Sequence, residues 1–322
     1  MKEEIPGIHH VTAIAGDPQQ NLNFYAGTLG LRLVKRTINF DDPSTYHFYY
    51  GDEAGTPGTI LTFFPWPGVR RGRAGTGQAT SVAFSIPESS LGFWIERLTK
   101  HNVEYEKPAR RFDEGVLAFR DKDGLMLELI TDKSSAERRR GWERGSVPPK
   151  HAIRGIHSVT MCVDGYEHTA KLLTETMGFR QTGEEESVFR FAAGEGGAGA
   201  QVNVRCAPDF WPGVVAGGSV HHVAWRARDD AAQRAWSEQI AATGLNVTPV
   251  LDRQYFRSIY FREPGGVLFE IATDPPGFTI DEPLEQLGAE LKLPSWLEPN
   301  RKEIESILPQ LDPPQNELEQ ES

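Results

Sequence analysis

Apolar positions along the chain follow two rhythms that recur in the same order four times. Each time a run of alternating apolar and polar residues, with the period of two of a half-buried strand, gives way to a stretch with the 3.6-residue period of an amphipathic helix; strand-like runs separated by turns follow. The first copy spans about residues 7–65, with strand His9–Ala15, helix Pro18–Leu29 closed by Gly30, and strands Arg32–Asn39, Tyr46–Tyr50 and Thr59–Phe64. The second, about 78–132, has strand Thr80–Ile86, helix Ser89–Asn102 and strands Val116–Arg120 and Met126–Thr131. The third, about 155–207, opens with strand Ile156–Val163 and helix Tyr166–Met177. The fourth, about 218–274, has strand Val220–Ala227, helix Asp229–Thr243 and strands Ser258–Arg262 and Val267–Ala272.

A lone sheet of three or four strands with one helix buries too little apolar surface to stand alone, so the four βαβββ modules must pair. The predicted class is α+β: two curved mixed-sheet barrels, each made by two modules, with the helices outside. Residues 1–140 form an N-terminal half and 151–275 a C-terminal half. The charged stretch Lys133–Lys150, with Pro148-Pro149, reads as the linker. Residues 276–322 read as an acidic, proline-punctuated tail with one short helix at Arg301–Leu308 and a disordered end.

Alignment of the modules turns scattered histidines into a test. The first-strand position of His10 is held by Ser81, Ser158 and His222 in the other modules. The last-strand position, four residues after a glycine, is held in order by Thr62, Glu128, Asn203 and Glu270. Only residues of one register point into one cavity. Pairing modules one and four therefore assembles His10, His222 and Glu270, with Thr62 in the fourth position. Pairing two and three assembles Ser81, Glu128, Ser158 and Asn203, a poor set for a transition metal. Two imidazoles and a carboxylate on one face, with the opposite face open, are the ligand set of non-haem Fe(II) centres, and Mn(II) accepts the same set. A rival set, His157 with His222 and Glu270, requires modules three and four to pair; but His157 shares its register with His9 and His221, which in an ideal strand face away from the metal.

Each ligand also has a plain structural reading. A single strand histidine is more often a core or surface residue than a ligand. Glu128, in as apolar a run as Glu270, reads as a hydrogen-bonded or edge-exposed remnant. His9 and His221 read either as packing residues or, if a bulge turns them, as groups that orient the ligands and handle substrate protons. The joint pattern favours one live metal site and one lapsed site. The glycine-rich Gly194–Gly199 follows no Rossmann-type strand and opens no helix, so it reads as a turn and not a phosphate loop.

Composition removes other classes. A formal net charge of −11 leaves no basic stripe for nucleic acid. No apolar run is long enough to span a membrane and no apolar core follows Met1, so a cytoplasmic protein without a membrane partner is expected. The two cysteines, Cys162 and Cys206, rule out a disulfide framework or a thiolate metal site. Sequence leaves oligomeric state open, and a homo-oligomer is compatible with it.

Several motifs resemble the vicinal oxygen chelate superfamily, and within it the hydroquinone-type ring-cleaving dioxygenases: Gly7-Ile8-His9-His10-Val11-Thr12, Leu33-Val34-Lys35-Arg36-Thr37, Gly55-Thr56-Pro57-Gly58-Thr59, Asp252-Arg253 followed by Ser258–Gly266, and Leu293-Pro294-Ser295-Trp296-Leu297-Glu298-Pro299. The resemblance covers nearly the whole chain. It implies Fe(II) ligands at His10, His222 and Glu270, supporting groups at His9, Thr12, His221, Arg253 and Tyr260, and a small aromatic substrate opened with O2. Two other readings are a glyoxalase-like lyase or isomerase, which usually has a fourth protein ligand where Thr62 stands, and a metal-free module that binds aromatic ligands.

Overall fold

The computed structural model describes residues 3–133 and 140–314. The N-terminal half contains strands β1 (Ile8–Ala15), β2 (Arg32–Asn39), β3 (Asp42–Gly51), β4 (Ile60–Pro65), β5 (Gln78–Pro87), β6 (Ala109–Arg111), β7 (Glu114–Arg120) and β8 (Met126–Asp132). Beyond the linker come β9 (Ile156–Val163), β10 (Arg180–Glu185), β11 (Val188–Ala192), β12 (Gln201–Cys206), β13 (Ser219–Ala227), β14 (Leu251–Asp252), β15 (Arg257–Arg262) and β16 (Leu268–Thr273). They form two curved eight-stranded mixed sheets with the helices outside.

Strand order answers the pairing question. One sheet runs β14-β15-β16-β13-β1-β4-β3-β2 and the other β10-β11-β12-β9-β5-β8-β7-β6. Modules one and four therefore share a sheet through the antiparallel pair β1–β13, and modules two and three through β5–β9. Within each module the first and last strands are parallel. His157 lies in the other sheet from His222 and Glu270, so the rival ligand set does not form.

One glycine per module sets the last strand. Gly58, Gly124, Gly199 and Gly266 all have φ between +85° and +97°, a conformation that glycine adopts at little cost. Each precedes by four residues the position that faces its cavity, which keeps the period-two register equivalent in all four copies.

The helices bury one face each. Helix α1 (Pro18–Leu22) is followed by a wider π-type segment, Asn23–Thr28, and α2 is Leu91–Lys100. Helix α3 (Glu167–Lys171) continues into a second π-type segment, Leu172–Thr176. The two helices expected at Pro18–Leu29 and Tyr166–Met177 are thus each half α and half π, a local widening that periodicity does not reveal. Helix α4 (Asp230–Ala241) starts where the Asp229 carboxylate accepts from Ala232 N, and it buries Ala232, Trp236 and Ile240 at helical spacing. No helix among the described residues is long and apolar enough to cross a membrane.

The tail forms helix α5 (Arg301–Ile307), and its preceding segment locks onto the first sheet. The fully buried Lys35 ammonium meets Asp281 at 2.5 Å and also Glu282. Phe278 packs on Tyr49 and Tyr255. The expected disordered end and part of the linker lie outside the described residues.

Candidate metal centre

Side chains of His10 on β1, His222 on β13 and Glu270 on β16 converge at the middle of the first sheet, all buried. His10 Nε2 lies 3.3 Å from His222 Nε2, and Glu270 Oε2 lies 3.4 Å from the former and 2.9 Å from the latter. Metal–ligand bonds of ~2.1 Å at right angles subtend edges of ~3.0 Å, so these three atoms fit one face of a metal's coordination sphere. One of the three atoms is left without a hydrogen bond. Glu270 Oε2 lies within ion-pair distance of both imidazoles yet makes no hydrogen bond of acceptable geometry. Its other oxygen accepts from Ser258 Oγ at 2.5 Å. A buried carboxylate oxygen left this way calls for a cation.

Burial opposes ionisation of Glu270, but His10 and His222 outweigh it and hold the carboxyl well below its usual range. Burial lowers His222, with Glu270 opposing. A carboxylate beside a neutral imidazole is the state in which such groups ligate a metal.

His9 and His221 do not face away from this centre as an ideal strand requires. In the β1–β13 ladder Ile8 pairs with Trp225 and His10 with Ala224, so His9 is an extra residue; Thr12 pairs with His222 and Ala13 with Val220, so His221 is another. These two bulges re-aim the side chains. His9 Nδ1 comes to 2.9 Å from His10 Nδ1, and His221 Nδ1 to 2.8 Å from His222 Nδ1. One proton bridges each pair. If His10 and His222 present bare Nε2 atoms to a metal, they carry their protons on Nδ1, and His9 and His221 accept there and hold theirs on Nε2. Burial holds His9 well below the usual histidine range and pushes His221 down to about 3, with the neighbouring ligand histidine adding in each case. The two then differ. His221 lines the cavity, whereas His9 is enclosed behind His10 against Phe256.

The cavity in front of the triad is about 300 Å³ and is walled by Tyr49, Phe64, Trp66, Phe256 and Tyr260, a size and lining suited to a small aromatic ring. Arg253 reaches it with Nε 3.4 Å from Tyr260 Oη and Nη1 3.0 Å from Asp41. Burial works against the Arg253 charge, but Tyr260, Asp41 and Glu270 more than offset it and raise its pKa. Burial, then Glu270, raises Tyr260, which stays a neutral hydroxyl.

Thr12, buried, pairs its Oγ1 with Thr62 Oγ1 at 2.8 Å. Thr62 thus fills the fourth ligand position with a hydroxyl that is already engaged, also by His47 Nε2 at 2.8 Å, and His47 Nδ1 lies 2.9 Å from Tyr49 Oη. Sequence alignment of the slots did not single out His47 and Tyr49. Their strand, Tyr46–Tyr50, is aromatic on both faces, so alternation alone leaves its inner face unmarked.

The second sheet holds the four predicted non-ligand residues in equivalent places and fills the space differently. Arg111 donates through Nη1 and Nη2 to the two oxygens of Glu128 at 3.0 and 2.5 Å. Arg190 bonds Asn203 Oδ1 at 3.0 Å and Glu114 at 2.8 Å, and His157, itself a bulge residue, meets Glu114 and Ser158 at 3.1 Å each. A guanidinium stands against Glu128, where the first sheet sets two imidazoles against Glu270.

Relatives match this chain over nearly its full length. A protein of Bacillus subtilis named "Putative ring-cleaving dioxygenase MhqO" is 47% identical over 312 residues, covering 96% of this chain and 97% of its own. The chlorohydroquinone/hydroquinone 1,2-dioxygenase of Sphingobium indicum is 36% identical over 315 residues, covering 94% of this chain and 96% of its own. The crystal structure of a "putative dioxygenase" from Bacillus subtilis superposes with a TM-score of 0.92 at 46% identity, covering 97% of this chain and 99% of that one. The family model described as Glyoxalase/Bleomycin resistance protein/Dioxygenase superfamily matches residues 7–129 and 155–271, and the chain belongs to that superfamily.

Proposed function

We propose that this chain is an Fe(II)-dependent dioxygenase that opens the ring of a hydroquinone-type substrate with O2, with His10, His222 and Glu270 holding the metal. The observation that carries the reading is the open-sided, buried triad at the floor of an aromatic cavity. The named activities of the 47% and 36% identical relatives support the class of reaction and of ring. Bound Fe(II) would supply the one-electron chemistry that O2 needs to react with an electron-rich ring.

The chain's own groups then have separate tasks. Aromatic walls hold the ring flat and exclude water. His221, neutral, offers its Nε2 hydrogen to an oxygen in the cavity. Arg253, kept charged beside Tyr260, steadies negative charge on a substrate oxygen. Tyr260 donates its hydroxyl hydrogen to the same oxygen. His9 and Thr12 act through their neighbours, orienting His10 and holding Thr62. Thr62 is engaged by Thr12 and His47 and leaves a three-ligand site, which weighs against a glyoxalase-type reaction with four.

The test is oxygen uptake by Fe(II)-loaded protein against a panel of substituted hydroquinones and catechols, with Mn(II)-loaded protein alongside. One O2 consumed per ring opened, with hydroquinones preferred, is the expected result. Uptake with catechols only, or no uptake by protein that retains its metal, overturns the proposal.

A further inference from the structure

We infer that Tyr49 is a second oxygen-binding tyrosine in this cavity, and that Tyr49 and Tyr260 together select a ring with hydroxyls at opposite ends. The inference rests on the proposed function for the kind of ring and adds the residue that reads its second hydroxyl.

The internal repeat of the sheet places the two tyrosines in equivalent positions. Counting outward from the β1–β13 seam, β15 is the third strand on one side and β3 the third on the other. Tyr260 pairs across the ladder with Glu270, and Tyr49 pairs with Thr62, the residue that stands in the glutamate's position in its module. Two residues before each tyrosine, a side chain bonds that position: Ser258 Oγ to Glu270 and His47 Nε2 to Thr62 Oγ1. Both tyrosines line the same cavity, one on each arm. Tyr260 stands with Arg253 on one arm and Tyr49 with His47 on the other, so a ring carrying two oxygens can meet one hydroxyl from each.

Hydrogen bookkeeping decides what Tyr49 offers. Thr12, Thr62, His47 and Tyr49 form a single chain of contacts at 2.8, 2.8 and 2.9 Å. Thr12 is fully buried, and Thr62 is the hydrogen-bond partner of its hydroxyl among the described residues. A buried hydroxyl hydrogen needs an acceptor. Thr12 therefore donates to Thr62, Thr62 donates to His47 Nε2, and His47 Nδ1–H donates to Tyr49 Oη. The hydrogen of Tyr49 is left over and turns to the cavity. The reverse order would strand the Thr12 hydrogen in the interior. Burial, with Tyr260 and Glu270 adding and Arg253 opposing, raises Tyr49 well above the usual range, so it remains a donor.

The test is anaerobic binding to the Fe(II)-loaded protein of hydroquinone and of 4-methylphenol, which has the same outline and one hydroxyl. Tyr49→Phe should weaken hydroquinone by roughly tenfold, the effect of one unmet buried hydrogen bond, and leave 4-methylphenol unchanged. Thr62→Val, which removes the bias on His47 while keeping Tyr49, should shift the same ratio in the same direction by a smaller factor. Equal weakening of both ligands in Tyr49→Phe, or no weakening of either, overturns the inference; an unshifted ratio in Thr62→Val overturns the relay. Wild-type protein that binds hydroquinone selectively but consumes no O2 would count against the proposed function and not against the role of Tyr49.

Discussion

Replacing Arg111 with Met removes the group that holds both oxygens of Glu128 and tests whether the second cavity is held together by charge alone. Glu128 is 6% exposed, and the Arg111 side chain is 24% exposed. Stripping one partner from a buried pair costs ~3–5 kcal/mol, because the other charge stays in the interior. Partial exposure of the arginine brings solvent screening and lowers the figure to ~2–3 kcal/mol. Unfolding entropy of ~2.1 cal/mol/K per residue over the 322 residues then predicts a fall in Tm of about 3–4 °C, with the chain taken as one cooperative unit. The double replacement Arg111→Met with Glu128→Leu should recover to within ~1 kcal/mol of wild type, since apolar groups of similar volume need no partner. Calorimetry gives the Tm, and iron analysis after Fe(II) loading should show unchanged metal content in both variants. An unshifted Tm in the single variant, or a loss of iron, would refute the view that a guanidinium has taken the place of a metal there.

Three further outcomes separate the remaining parts. His9→Ala and His221→Ala each remove the partner of a triad histidine and should each lose ~10–100-fold in metal affinity, but at saturating Fe(II) only His221→Ala, which opens on the cavity, should still lose ~100-fold or more in kcat; direct metal titration beside turnover at saturating metal distinguishes them. Burial raises Asp121, which accepts from the Tyr25 hydroxyl at 2.9 Å, to about 6. Its folded pKa lies above the unfolded one, so its stabilising contribution is present at low pH and is lost as pH rises through about 6. Asp121→Asn should therefore gain on wild type by ~2.5 kcal/mol between about pH 4 and about pH 7.5 in denaturation midpoints; a gain in the opposite direction contradicts the burial argument. Lys35→Met should cost ~3 kcal/mol by leaving Asp281 and Glu282 without their ammonium, and limited proteolysis should then cut the tail between Gly277 and Leu291 first.

The convergence of His10, His222 and Glu270 was legible in the sequence because each module restarts its last strand at a glycine with positive φ, which makes a slot-by-slot alignment meaningful. Module pairing followed from the same alignment, since only modules one and four bring His10, His222 and Glu270 together. The bulges at His9 and His221 were not legible. Nothing in Gly7–Thr12 differs from a plain alternating strand, and the extra residues arise only when β1 meets β13. Arg111 lies in a charged stretch that reads as a loop; it enters the second cavity from a hairpin in which Phe112 and Asp113 have φ of 50° and 62°, a conformation that neither residue type announces. Tyr49 was missed for a different reason: equivalence to Tyr260 depends on pairing with Thr62, and pairing is a tertiary fact.

Iron content after Fe(II) loading and removal of excess metal, measured on wild type and on His10→Ala, His222→Ala and Glu270→Ala, tests the central claim most directly. The account predicts one iron per wild-type chain and loss of both iron and hydroquinone-dependent O2 uptake in each variant. Two irons per wild-type chain, or a variant that keeps its full iron and its uptake, would contradict it.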